Sequence, residues 1–149
     1  VNRRRALEAF GSALVVATAG CLQTDPAVTK YEEGLTAFKR GRKNENEAER
    51  MSRPYDNPLA RERFEAAKKD YDEAAAKFER SMQLAESAKL SGYGEEAMLR
   101  ARAESEEMQY AIKGDRSGAN SAESKAREHS IAALGAVKQA AQREDGFLF

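Results

Sequence analysis

The chain has no tryptophan, one histidine, one cysteine and three prolines in 149 residues. With His129 as the sole histidine, no histidine-based metal cluster can form, and no Ser-His-Asp set is expected; His129 reads as a polar residue beside a helix seam. The lone cysteine, Cys21, cannot close a disulfide within the chain, so it needs another use. Leu, Ile, Val and Phe supply only 23 residues, which limits the core to a thin one built largely on alanine. No charge of one sign dominates, because Lys plus Arg and Asp plus Glu number 25 each. A neutral surface gives no global field toward nucleic acid or an anionic bilayer. The basic run "KRGRK" at 39–43 passes directly into acidic sequence, which argues against a nucleic-acid groove.

What is abundant points to helices. Ala, Glu, Lys, Leu and Arg make up 82 residues, more than half the chain, and they recur with helical period. Asp25 followed by Pro26 reads as an N-cap with proline in the first turn. Val28, Tyr31, Leu35 and Phe38 then step by three and four, predicting a helix over 27–41 that either ends at Gly41 or frays through the polar segment beyond. The polar stretch through "RKNENEAERM" reads as a connection, with Pro54 and Pro58 beyond it. Asn57-Pro58 repeats the start signal. From 59 to 90 there is no glycine or proline, and Phe64, Tyr71, Phe78 and Ala85 fall seven apart, with Ala67, Ala74, Ser81 and Ala88 interleaved. This is a heptad seam with a small-residue row, predicting one long helix over 58–90, with "KKDY" at 68–71 as the place for any break. "SGYG" at 91–94 reads as a turn. Met98, Ala101, Ser105, Met108 and Ile112 predict a third helix over 95–113, ended by Gly114. Asn120 with Glu123 suggests a capping box opening a last helix over 121–143, whose inner face carries Ala126, His129, Ala133, Val137 and Ala140. No segment reads as a strand. The expected fold is all-α: an antiparallel helical bundle or a set of helical hairpins.

The first 21 residues carry a different pattern. Arg3, Arg4 and Arg5 precede an uncharged run of twelve residues at 9–20, and Cys21 follows. Twelve residues fall short of the ~20 needed to span a bilayer as a helix, but they suit the apolar region of an export signal. Thr18-Ala19-Gly20-Cys21 resembles the lipobox of prokaryotic lipoproteins. In that family the cysteine sulfur receives a diacylglyceryl group and the chain is cut before it. Arg3 and Arg4, with Ala6 and Leu7 behind them, resemble the twin-arginine export motif. Val1 is what an alternative start codon gives when read literally, a prokaryotic trait that haloarchaeal surface lipoproteins share. Beyond residue 20 the chain carries 22 basic and 24 acidic residues, less acidic than haloarchaeal proteins usually are, which leaves a bacterial source open. The resemblance implies a signal peptide at 1–20, a lipidated tether at 21–26 and a helical domain at 27–149.

Within that domain, Tyr71, Ala74, Phe78 and Ser81 in "YDEAAAKFERS" resemble the second helix of a tetratricopeptide repeat, and Tyr31, Gly34, Phe38 and Gly41 repeat the pattern 40 residues earlier. The first-helix signature is missing upstream of both, and a solenoid needs about three repeats. Acidic pairs such as Glu106-Glu107, Asp70 with Asp72, and Glu95-Glu96 read as solvated faces, with Glu65–Lys69 and Glu73–Lys77 as intrahelical partners. No histidine follows a glutamate by three, so the di-metal carboxylate pattern of helical bundles is missing. No catalytic set, cofactor or metal is expected. The reading is a lipoprotein held at the outer face of a membrane by Cys21, binding another protein through whatever parts of the Tyr31/Phe38 and Phe64/Tyr71/Phe78 stripes other helices leave uncovered. A solute-binding or enzymatic lipoprotein with a pocket between helices, and a spacer that self-associates through the heptad seam, are the alternatives.

Overall fold

The computed structural model describes residues 25–145, and every regular element among them is helical. The proposed signal peptide, the lipobox with Cys21, and the terminal "GFLF" lie outside the described residues. We number the α-helices α1 (Pro26–Glu49), α2 (Pro58–Leu84), α3 (Ala88–Ile112), α4 (Arg116–Arg127) and α5 (Leu134–Asp145), with a 3-10 turn at Pro54–Asp56 between α1 and α2. The first four helices pack side by side in order, so α2 lies between α1 and α3 and α4 lines α3, while α5 touches both α1 and α3.

Each start has a local cause. The Asp25 carboxylate accepts from the Ala27 N–H at 2.7 Å, and the Asn57 side chain accepts from the Leu59 N–H at 3.0 Å, each followed by proline. Ser87 caps α3 by accepting from the Leu90 N–H at 3.0 Å. These bonds satisfy donors that a helix start leaves free.

The α1–α2 interface is aromatic side chains set into small-residue gaps. Along α2, Ala60, Phe64, Ala67, Tyr71, Ala74, Phe78 and Ser81 are all buried, in steps of four and three. Phe78 stacks at a tilt on Tyr31 at 5.0 Å between ring centroids, and Tyr71 on Phe38 at 5.1 Å. The rings fit because α1 offers glycine: a Cβ on Gly34 would come within 2.7 Å of the Phe78 ring, and one on Gly41 within 2.8 Å of Tyr71. Ser81 keeps its hydroxyl satisfied by donating to the Ala27 carbonyl at 2.6 Å. Two apolar clusters result. One joins the start of α1, the end of α2, the start of α3 and Val137 of α5; the other joins the end of α1, the start of α2 and Met108 and Ala111 of α3.

Several predicted boundaries move, each for a tertiary reason. α1 does not stop at Gly41 but runs to Glu49, because Gly41, Glu45 and Ala48 continue its buried row under α2. The long helix ends at Leu84, six residues early, and the chain turns at Ala85–Ser87. There is no break at 68–71, since Tyr71 is held in the core on both sides. "SGYG" is not a turn: it lies inside α3, where Gly94 lets the backbone approach Met82, its Cβ position being 2.9 Å from the Met82 nitrogen. The last predicted helix is two. Gly114, at φ 73, ends α3, and Asp115 at once caps α4 by accepting from the Gly118 N–H at 2.9 Å, so Asn120 sits inside a helix and caps nothing. Between α4 and α5 the chain is tied down: the Tyr31 hydroxyl donates to the Ala132 carbonyl at 2.8 Å, and Arg100 donates to the His129 carbonyl at 3.3 Å.

Candidate functional site: a buried carboxylate cluster

The aromatic residues singled out in the sequence are core. Tyr31, Phe64, Tyr71 and Phe78 are buried, and Phe38 is half-buried. The stripe is thus used up in joining α1 to α2, and only Phe38 keeps an open edge. The predicted intrahelical pair Glu73–Lys77 is replaced by pairs across helices: Glu73 takes Arg40 at 2.6 Å, and Lys77 takes Glu33 at 2.9 Å. His129 is half-buried with Nδ1 3.3 Å from Glu96.

A group of buried acidic side chains lies between the two apolar clusters. Glu45 of α1 and Glu104 and Glu107 of α3 are all buried, at 4 %, 1 % and 5 % exposure. Carboxylate oxygens from all three lie within 4.8 Å of one another. The pair Glu106-Glu107 reads in sequence as a solvated face, but Glu107 faces inward, while Glu106 stays at the surface with Lys125. Glu45 lies in the polar stretch that reads as a connection, and it is helical instead.

A signal for two of them was present. On α1 the buried positions Tyr31, Gly34, Gly41, Glu45 and Ala48 share one three/four phase with Phe38, and Glu45 falls on it. On α3, Leu90, Gly94, Ala97, Ala101, Glu104, Met108 and Ala111 do the same. The expected α3 stripe ran through Ser105 and stepped past Glu104 by one residue. Glu107, three residues after Glu104 and four before Ala111, lies at the edge of the same face.

The three carboxylates are unequally satisfied. Glu45 accepts a hydrogen bond from the buried Tyr71 hydroxyl of α2, and the Arg42 guanidinium lies 3.6 Å away. Glu104 receives the Arg100 Nε–H at 2.7 Å on one oxygen, with Arg42 at 3.7 Å. Its other oxygen is buried without a partner, as is one oxygen of Glu107. Each orphaned buried acceptor costs about 1–3 kcal/mol, and more when charged. Glu107 makes no ion pair with any described residue.

The electrostatic consequence is strong. Burial raises the Glu107 carboxyl to about 9, with the Glu45 and Glu104 charges adding to it. Burial likewise lifts Glu45 to about 7, against the opposing Tyr71 hydrogen bond, and the Glu104 charge adds to the rise. Burial first, then the Glu45 charge, drives the Tyr71 hydroxyl far up, so Tyr71 stays a donor. Glu49, one turn beyond Glu45, is also raised by burial. Buried carboxylates this close cannot all ionise without a compensating positive charge. Chemically, the cluster can share protons or hold a cation that prefers oxygen.

No family model, no curated protein and no solved structure matches the chain.

Proposed function

We propose that the chain is an exported lipoprotein, anchored through a diacylglyceryl group on Cys21 at the outer face of a membrane, and that its helical domain works by binding another protein rather than by turnover. The observation that carries this reading is the order of residues 2–21: three arginines, an uncharged run of twelve residues that ends in Thr18-Ala19-Gly20, and the only cysteine. Two acyl chains on one cysteine meet the usual need of two signals for stable anchoring. No described helix is long and apolar enough to cross a membrane, and on this reading the lipid is the membrane contact. α1 begins at Pro26, five residues after Cys21. At about 3.5 Å per extended residue, that tether holds the domain within roughly 18 Å of the surface.

With the aromatic stripe inside, the binding surface is a groove on α1 lined by Leu35, Ile131 and Leu134, with Glu32, Thr36 and Lys39 at its rim. Its half-buried apolar centre and charged edge match the usual anatomy of a protein contact. Intact mass and cell fractionation test the anchor. Wild type gains the mass of a diacylglyceryl group and pellets with membranes; Cys21→Ser stays soluble or uncleaved. Mature wild type without lipid mass overturns the anchor. Leu35→Asp, displayed normally, loses crosslinks to its partner; unchanged crosslinks overturn the groove.

A further inference from the structure

The cluster of Glu45, Glu104 and Glu107 asks for something its neighbours do not supply. Two of its oxygens, on side chains at least nine-tenths buried, have no hydrogen-bond partner. Tyr71 and Arg100 are already committed to Glu45 and Glu104. Arg42 pairs with those same two carboxylates at 3.6 and 3.7 Å without hydrogen-bonding either, and its side chain is 46 % exposed. Glu107 has no guanidinium of its own.

We propose that Glu45, Glu104 and Glu107 together hold one hard divalent cation, of the calcium or manganese class, between α1 and α3. All three donors are oxygens, a set that suits calcium, magnesium and manganese rather than the softer metals drawn to thiolate and imidazole. A spread of at most 4.8 Å between donor oxygens can be bridged by one ion with bonds of about 2.3–2.6 Å. The second carboxylate oxygens and water complete the shell. The charge also fits. Glu45, Glu104 and Glu107 with nearby Glu49 make four carboxylates against the two guanidiniums of Arg42 and Arg100, leaving two negative charges when all are ionised. Glu123 of α4 adds its field but is already paired with Arg127. The ion would tie α1 to α3, which otherwise touch little because α2 lies between them. This inference does not depend on the anchoring or partner reading above.

The test uses the purified full chain, stripped with a chelator and titrated with calcium, manganese or magnesium by calorimetry, with manganese also followed by electron paramagnetic resonance. One calcium or manganese ion binds per chain and raises the melting temperature, as a ligand specific to the folded state must. Glu107→Gln removes the least satisfied carboxylate at nearly constant shape. It weakens binding by about 100-fold or more, since even outer-shell partners of a metal site are worth 10–100-fold. It melts no lower than the stripped wild type. Glu106→Gln, one residue away at the surface, binds as wild type does. Stripped wild type that takes up no ion and melts identically with and without it overturns the proposal and leaves a shared proton as the occupant. Ion binding that survives in both Glu107→Gln and Glu45→Gln also overturns it, by placing the ion elsewhere. The wild-type titration is decisive even if a variant fails to fold.

Discussion

Glu45 occupies a position that its helix otherwise reserves for small or apolar side chains, with Gly41 one turn before it and Ala48 three residues after. A carboxylate there is tolerated only if its charge is compensated or its proton retained. In chelator, the second route is the one open, and it makes stability depend on pH with a definite sign. Glu45 and Glu107 titrate at about 7 and about 9 in the folded chain, both above the ordinary 4.5. Between pH 4.5 and about 9 the unfolded chain has released protons that the folded chain still holds. Stability therefore falls as pH rises through that window, the reverse of a salt-bridged carboxylate. Melting followed by circular dichroism in chelator should show the midpoint dropping from pH 5 to pH 9, with a shallower drop for Glu107→Gln. A midpoint that holds level or climbs over that range contradicts the assignment. The same residue-scale logic explains why Tyr71 is a tyrosine: its ring fills the Gly41 gap, and its hydroxyl reaches Glu45.

Among the elements, α3 shows how one residue type can serve opposite ends within two positions. Gly92 and Gly94 are both helical, yet a Cβ on Gly92 meets nothing within 4 Å, while one on Gly94 would press on the Met82 backbone at 2.9 Å. Gly92→Ala should stabilise by about 0.5–1 kcal/mol, the usual gain for replacing glycine in a helix. Gly94→Ala has the same propensity gain but forces α3 away from α2, and backbone cannot yield as a side-chain tip does. We expect a net loss of about 1–3 kcal/mol, the range for overpacking. Thermal melts of the two single variants settle this, and equal shifts of the same sign would mean that α3 does not pack on α2 as closely as described. The two glycines beside a serine also explain why "SGYG" reads as a turn in sequence: the residue types suit a turn, and only the neighbouring helix makes the second glycine a packing residue.

For the molecule as a whole, the proposed route to the membrane depends on Arg3 and Arg4. Twin-arginine recognition distinguishes guanidinium from ammonium, so replacing both with lysine keeps the charge and should block export. Guanidinium offers a planar fork of donors that ammonium lacks. Protease accessibility on intact cells measures this directly, and full surface display of the double variant would assign the chain to the general secretory route. Among the described helices, the bundle is laid out in sequence order: each of the first three helices packs on the next, and α5 returns across α1 and α3. That return is pinned by the Tyr31 hydroxyl on the Ala132 carbonyl, 101 residues apart. The core is as alanine-rich as the composition requires: among the described residues, fifteen of the twenty-four buried hydrophobic ones are alanine.

The amino-acid sequence alone determined the all-α class, the starts of α1 and α2 at Asp25 and Asn57, and the heptad face of α2. Each of these rests on interactions within a turn or two of helix: a side chain capping a nearby N–H, a proline in the first turn, apolar residues recurring every three or four positions. Tertiary structure decided the rest. Whether Gly41 ends α1, whether Gly94 turns the chain, and where the break between α2 and α3 falls depend on what packs against those positions from another helix. The carboxylate cluster is the clearest case, because helical phase can mark Glu45 and Glu104 as inward-facing, but it cannot say that α1 and α3 bring them together with Glu107 over the same tyrosine of α2. That meeting is set by the packing of three helices, between residues separated by as many as 62 positions in the chain.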